Sequence, residues 1–153
     1  MNDKQFLQEA ITKAKESVAQ GGFPAGAIIV KNGEIIGNGI SIGGNLNDPT
    51  AHGEMTAIRD ACKNLKKSDL AGSVLYTSMQ PCLMCFGAAI WSAIPKIIFA
   101  CSKERVSDDY YGGHYQLSAI NLELTHPIEI VHFIELEEDS LAIVREWEKS
   151  LRK

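Results

Sequence analysis

Two short stretches constrain this chain more than anything else in it. Residues 50–54 read TAHGE and residues 80–85 read QPCLMC, with 26 residues between Glu54 and Pro81. Each heads an apolar run. After the first, Met55, Ile58, Ala61, Cys62 and Leu65 recur at helical spacing, so a helix is expected over 50–65 with Thr50 as its N-cap. After the second, the run FGAAIW predicts a helix over 82–93 behind Pro81. A fold that serves both must bring two helix N-termini to one point.

The residues at those N-termini say why. Cys82 and Cys85 are three apart, on one helical turn, and face the same way. A disulfide needs an oxidising compartment. The first residues, MNDKQFLQEAITKAKESV, are charged throughout and lack the apolar core of a secretory leader, so a cytoplasmic setting with reduced thiols is expected. A redox pair would have no use for His52 or Glu54. A closed structural zinc site needs a fourth ligand. Cys62 lies ten residues along the His52 helix, about 15 Å away, and Cys101 sits at a strand end. His52, Cys82 and Cys85 together leave one zinc position for water, as catalytic zinc sites do. Helix N-termini favour the thiolates. The metal draws the pKa of its water toward about 7. Glu54, two residues past His52, stands beside that water. It can take the proton, pass it to a ring nitrogen of a substrate, and later protonate leaving ammonia. The order H-x-E then P-C-x-x-C is the zinc-deaminase pattern.

The rest of the chain bounds the fold. Its 153 residues are 45% hydrophobic and 22% charged, which fits one globular domain over residues 1–153. A net charge of -4 weighs against nucleic acid as a partner. No apolar run approaches the ~20 residues of a membrane span. Residues 4–19 carry a helical stripe that ends at Gly21-Gly22, and AGAIIV and EIIGNGIS flank Asn32-Gly33 as a hairpin. Residues 43–49 read as a loop, 73–78 and 96–102 as strands, 108–116 as a loop or broken helix, 128–136 as a last strand, and 138–153 as a terminal helix. Strands alternating with helices argue for an α/β sheet with helices on both faces.

Four blocks carry a wider resemblance: PAGAIIVKNGEIIGNG, NDPTAHGEMTAIRDAC, LYTSMQPCLMCFGAAIW and IPKIIFA. From about Phe6 to Cys101 the chain resembles the cytidine and deoxycytidylate deaminase superfamily. It is most similar to the branch of guanine deaminases, yeast-type cytosine deaminase and tRNA adenosine deaminases. The resemblance implies a three-layer α/β/α sandwich around a five-stranded mixed sheet, one Zn²⁺ per chain and a homodimer. It implies His52, Cys82 and Cys85 as zinc ligands, Glu54 as proton shuttle, and the Gly53 N–H as a contact to the substrate ring. Three positions depart from the pattern. Ser41 stands where relatives carry a base-gripping Asn, Ala25 where guanine deaminases tend to have Phe, and Gln80 where many have Glu. The lid is expected from the C-terminal third, with Asp108, Asp109 and Glu148 reading the ring edge and Trp147 stacking on it. His114 is a weaker candidate there, His126 and His132 read as structural or exposed, and Trp91 as core. The expected activity is hydrolytic deamination of a free nucleobase or similar amino-heterocycle, guanine- or cytosine-like. The alternatives are deamination of tRNA adenosine, or a non-catalytic zinc-binding protein.

Overall fold

In the computed structural model, which describes residues 1–152, the chain begins with helix α1 (Asp3–Ala19). Asn2 and Gln5 cap it reciprocally, each side chain accepting from the other's backbone N–H. Its Phe6, Leu7, Ala10, Ile11 and Ala14 face inward. Strands β1 (Gly26–Lys31) and β2 (Glu34–Ile40) form the expected hairpin. Asn32 and Gly33 both take positive φ, 51° and 78°, as the tight turn between right-twisted strands requires. One helical turn, α2 (Gly43–Leu46), lies inside the segment expected as a loop.

Then come α3 (Gly53–Leu65), β3 (Ser73–Met79), α4 (Leu83–Trp91), β4 (Lys96–Cys101), α5 (Leu117–Leu122), β5 (Glu129–His132) and α6 (Glu137–Ser150). The sheet order is β2-β1-β3-β4-β5. β1 is antiparallel to both neighbours, while β3, β4 and β5 run parallel, so the sheet is mixed as expected. Alternate residues serve opposite faces. Ala27, Ile29, Leu75 and Ile97 meet Ala57, Ala61, Phe86, Ala89 and Leu117 on one side. Ile28, Val30, Tyr76 and Ile98 meet Phe6, Leu7, Ala10, Ile11 and Leu136 on the other. The result is three layers with a core on each side of the sheet.

Gly37 and Gly39 on β2 let α3 lie close against the sheet. A Cβ at Gly37 would stand 2.5 Å from the Ala57 carbonyl, and one at Gly39 would press on Gly53 O, Ala57 N and Thr56.

Several expectations are corrected. The N-cap of α3 is His52, not Thr50, whose N–H and hydroxyl both donate to Asp48 Oδ1 in the preceding turn, at 2.9 and 2.6 Å. Cys82 is likewise the N-cap of α4 rather than part of it. β5 stops at His132 instead of running to 136. The chain turns there so that Glu137 reaches the Ser102 N–H, Arg105 and His132, and Ile134 is left exposed. Helix α5 was unread. Trp91 is 89% exposed rather than core, because Cys85, Phe86 and Ala89 form the inner face of α4. No helix among the described residues is long and apolar enough to cross a membrane.

Candidate active site

α3 and α4 point their N-termini at one place. His52 and Cys82 cap the two helices, and Cys85 lies in the first turn of α4. His52 Nδ1 stands 3.6 Å from the Sγ of Cys82 and 3.6 Å from that of Cys85. All three donor atoms lie within 4.8 Å of one another. A tetrahedral zinc with Zn–S near 2.3 Å and Zn–N near 2.05 Å sets its sulfur and nitrogen ligands about 3.6 Å apart. The donor set and its spacing therefore fit the ion.

The three groups are electrostatically coupled. A hydrogen bond from Cys85, aided by His52 and opposed by burial, holds Cys82 down to about 4. The same bond and burial hold Cys85 up, and the contact with Cys82 raises His52.

Glu54 sits beside this tripod in the first turn of α3, 4% exposed. Burial raises its pKa, against hydrogen bonds from Cys85 and Thr77. Its Oε1 accepts from the Thr77 hydroxyl at 2.7 Å, and Thr77 is itself buried in β3. A buried carboxyl whose charged form is disfavoured by burial and held by a hydroxyl can both accept and return a proton.

Above the tripod opens a cavity of about 380 Å³. His52, Glu54 and Cys82 form its floor. Phe23, Tyr110 and Trp147 form an aromatic wall. The Phe23 ring lies 5.1 Å from Tyr110 and 5.1 Å from Trp147, edge to face in both cases. Tyr110 donates its hydroxyl to Glu148 Oε2 at 2.6 Å, and burial with that bond pushes the phenol up to about 12.

Of the other residues singled out in the sequence, Ala25, Ser41, Gln80, Asp109 and Trp147 reach the cavity. Ser41 is anchored from behind. Its N–H donates to the buried Ser17 hydroxyl at 3.1 Å, and that hydroxyl is 2.6 Å from the Phe23 carbonyl. Gly53 opens α3, and its N–H is among the four that a helix leaves unpaired. A Cβ there would come within 3.2 Å of the Ala25 carbonyl, so glycine lets the helix start sit against β1.

Asp108 and Glu148 do not line the cavity. Asp108 pairs with the exposed His114 at 3.0 Å, and Glu148 stands behind Tyr110. Sequence reasoning misses Phe23, Met79, Tyr110 and Tyr111 as lining residues and Thr77 as the partner of Glu54. For Phe23 a signal existed: an aromatic residue beside Pro24, outside any apolar stripe.

Comparison with known proteins agrees with this geometry. The model of the cytidine and deoxycytidylate deaminase zinc-binding region matches residues 1–101. A guanine deaminase of Bacillus subtilis is 52% identical over 130 residues, 84% of this chain and 81% of that one. A tRNA-specific adenosine deaminase of Aquifex aeolicus is 39% identical over 154 residues, 99% of this chain and 97% of that one. In structure, a guanine deaminase from Nitrosomonas europaea superposes with a TM-score of 0.85 at 23% identity, covering 97% of this chain and 85% of that one. The residue spacing, the tripod and these relatives agree, and the chain belongs to the cytidine and deoxycytidylate deaminase family as a zinc-dependent deaminase.

Proposed function

We propose that the chain, acting as one domain over residues 1–153, deaminates a free nucleobase or close amino-heterocycle, guanine-like before cytosine-like. The observation that carries this reading is the wall above the tripod. Three aromatic side chains in mutual contact offer flat surfaces to a ring, and the polar margin carries Asp109 with no lysine or arginine among the described lining residues. An RNA strand needs cations for its phosphates. The Bacillus subtilis guanine deaminase, 52% identical, supports the same choice. A second reading, deamination of tRNA adenosine, is favoured by the 39% identity to the Aquifex aeolicus enzyme over nearly the whole chain.

Zinc held by His52 Nδ1 and the thiolates of Cys82 and Cys85 would supply an acidified water at neutral pH. Glu54 moves the protons: its buried carboxylate can accept one, deliver it to the ring nitrogen beside the reacting carbon, and later hand one to the departing amine. Thr77 orients the carboxylate through its 2.7 Å bond. The Gly53 N–H and the Ser41 hydroxyl hold the ring edge, and Phe23 and Trp147 hold its face. Water enters, ammonia leaves, and C–NH₂ becomes C=O.

Partners follow from the same reading. The outward face of α4 shows Leu83 and Trp91 and carries no charge. A second copy of the chain covers it in the homodimer that the resemblance implies, in a cytoplasm that keeps the thiols reduced.

The test is ammonia release by the zinc-loaded protein from guanine, cytosine, isocytosine, adenine, amino-pterins and amino-triazines, with nucleosides and tRNA alongside and Glu54→Ala as the blank. Release from a free base, lost in Glu54→Ala while zinc stays bound, is the expected result. Activity on tRNA alone would replace the substrate, and a function indifferent to Glu54→Ala would mean a non-catalytic zinc protein.

A further inference from the structure

Cys85 lies inside α4, whereas His52 and Cys82 are both N-caps in extended conformation, φ -69° and ψ 163° against φ -75° and ψ 173°. Cys82 stands in the irregular turn that joins β3 to α4, Gln80–Leu83 when the first residue of the helix is counted. Its Sγ is placed by that turn.

Residues 101–115 grip the turn through four hydrogen bonds. The Gln80 N–H donates to the Cys101 carbonyl at 2.8 Å, and Gln80 Oε1 accepts from the Lys103 N–H at 3.0 Å. The Tyr111 hydroxyl donates to the Gln80 carbonyl at 2.8 Å. The Leu83 N–H, unpaired by its own helix, donates to the Tyr115 hydroxyl at 2.9 Å. Between the two tyrosines lies Lys103, 3% exposed, its Nζ 5.6 Å from the centre of the Tyr111 ring and 5.2 Å from that of Tyr115. No carboxylate forms an ion pair with this ammonium among the described residues. A buried cation normally has such a partner. Here two ring faces stand against the ammonium. The start of the segment is fastened to α6, where Glu137 accepts from Arg105 at 2.9 Å and from the Ser102 N–H at 3.0 Å.

We propose that Lys103, Tyr111 and Tyr115 are positioning residues that clamp the Gln80–Leu83 turn and so hold Cys82 in ligating geometry. The proposal rests on the reading of His52, Cys82 and Cys85 as zinc ligands. It gives the segment beyond residue 101, where the family match ends, a part in the metal centre. The hydroxyl of Tyr111 matters most, because its loss strands the Gln80 carbonyl beneath the buried ring.

The experiment is zinc release from the loaded protein into excess chromophoric chelator, for the parent, Tyr111→Phe, Tyr115→Phe and Lys103→Gln. Tyr76→Phe is the control. It removes a hydroxyl bonded to Asp3 at 2.6 Å and does not line the cavity. Groups that orient a ligand without touching the metal are worth about 10- to 100-fold in affinity, so Tyr111→Phe and Lys103→Gln are expected to lose zinc faster by that factor. Tyr76→Phe should match the parent even where its melting temperature falls. Cobalt loading gives a second readout: the thiolate-to-metal absorption band weakens in Tyr111→Phe if Cys82 has drifted. Zinc release within about twofold of the parent in both Tyr111→Phe and Lys103→Gln would overturn the proposal, whatever Tyr115→Phe shows. Equal acceleration in Tyr76→Phe would also overturn it, since the effect would then be general loosening. A parent that binds no zinc would refute the ligand assignment itself, and the clamp with it. Loss of zinc binding in Cys82→Ser beside normal release from Tyr111→Phe would refute the clamp alone.

Discussion

The close approach of α3 to β2 gives a sharp perturbation, Gly39→Ala. The added Cβ would lie 2.5 Å from Thr56 Oγ1 and nearer still to Gly53 O and Ala57 N, whereas ordinary contact begins at 3.4 Å. Two of these atoms are backbone and cannot rotate away. α3 must therefore retreat by about 1 Å at its first turn, which is where His52 and Glu54 sit. Overpacking of this kind costs about 1–3 kcal/mol, or roughly 2–12 °C in melting temperature for a chain of this size. The catalytic loss should be larger, because a misplacement of about 1 Å costs about 100-fold. Melting curves give the first quantity and kcat/KM on the accepted base gives the second. Gly44→Ala is the control, since nothing lies within 4 Å of a Cβ there. A Gly39→Ala protein with parental melting temperature and parental kcat/KM would refute the argument that this glycine sets the position of the proton shuttle.

Other substitutions probe the wall, the lid anchor and the outer surface. Trp147→Ala should raise KM about fivefold while leaving zinc content intact, as loss of a ring-stacking surface worth about 1 kcal/mol predicts; unchanged KM would remove Trp147 from substrate recognition. Glu137 is held below the usual carboxylate value of 4.5: burial pushes it up, but the Ser102 N–H, His132 and Arg105 together outweigh that. A depressed folded pKa means that this stabilisation is full above the unfolded value and is lost as pH falls through the folded one. Glu137→Gln should therefore flatten the acid limb of melting temperature against pH, and an unchanged limb would refute the assignment. Trp91→Glu should convert a sedimenting dimer to monomer, while a parent that is already monomeric would refute the α4 interface.

The metal tripod was legible in the sequence because its logic is local. Spacings of two and three residues at helix starts survive any tertiary arrangement, and so does the Asn32-Gly33 turn. The wall was half legible. Asp109 and Asp108 are adjacent and equally acidic, yet a short 3-10 turn sends one to the cavity and the other to His114. Trp147 and Glu148 divide in the same way across α6. Phe23 and Tyr110 meet only because α6, α1 and the segment after β4 converge, and no periodicity encodes that. Trp91 misled because α4 has no charged residue to mark its outer side. The tail of the expected last strand misled because alternation continued through Ile134 and Leu136 after the sheet had ended.

The division between floor and wall bears on how such proteins diversify. The candidate ligands and shuttle occupy residues 52–85, inside the stretch that the family model matches, while the wall draws on residue 23 from that stretch and on residues 109–111 and 147 beyond it. A mutation that reshapes the wall at Phe23, Asp109, Tyr110 or Trp147 leaves the ligands untouched, so selectivity can drift while turnover persists. Lineages with different substrates can then descend through intermediates that are never inactive. Directed evolution toward a new ring should accordingly accumulate its useful changes at the wall, with the tripod left invariant.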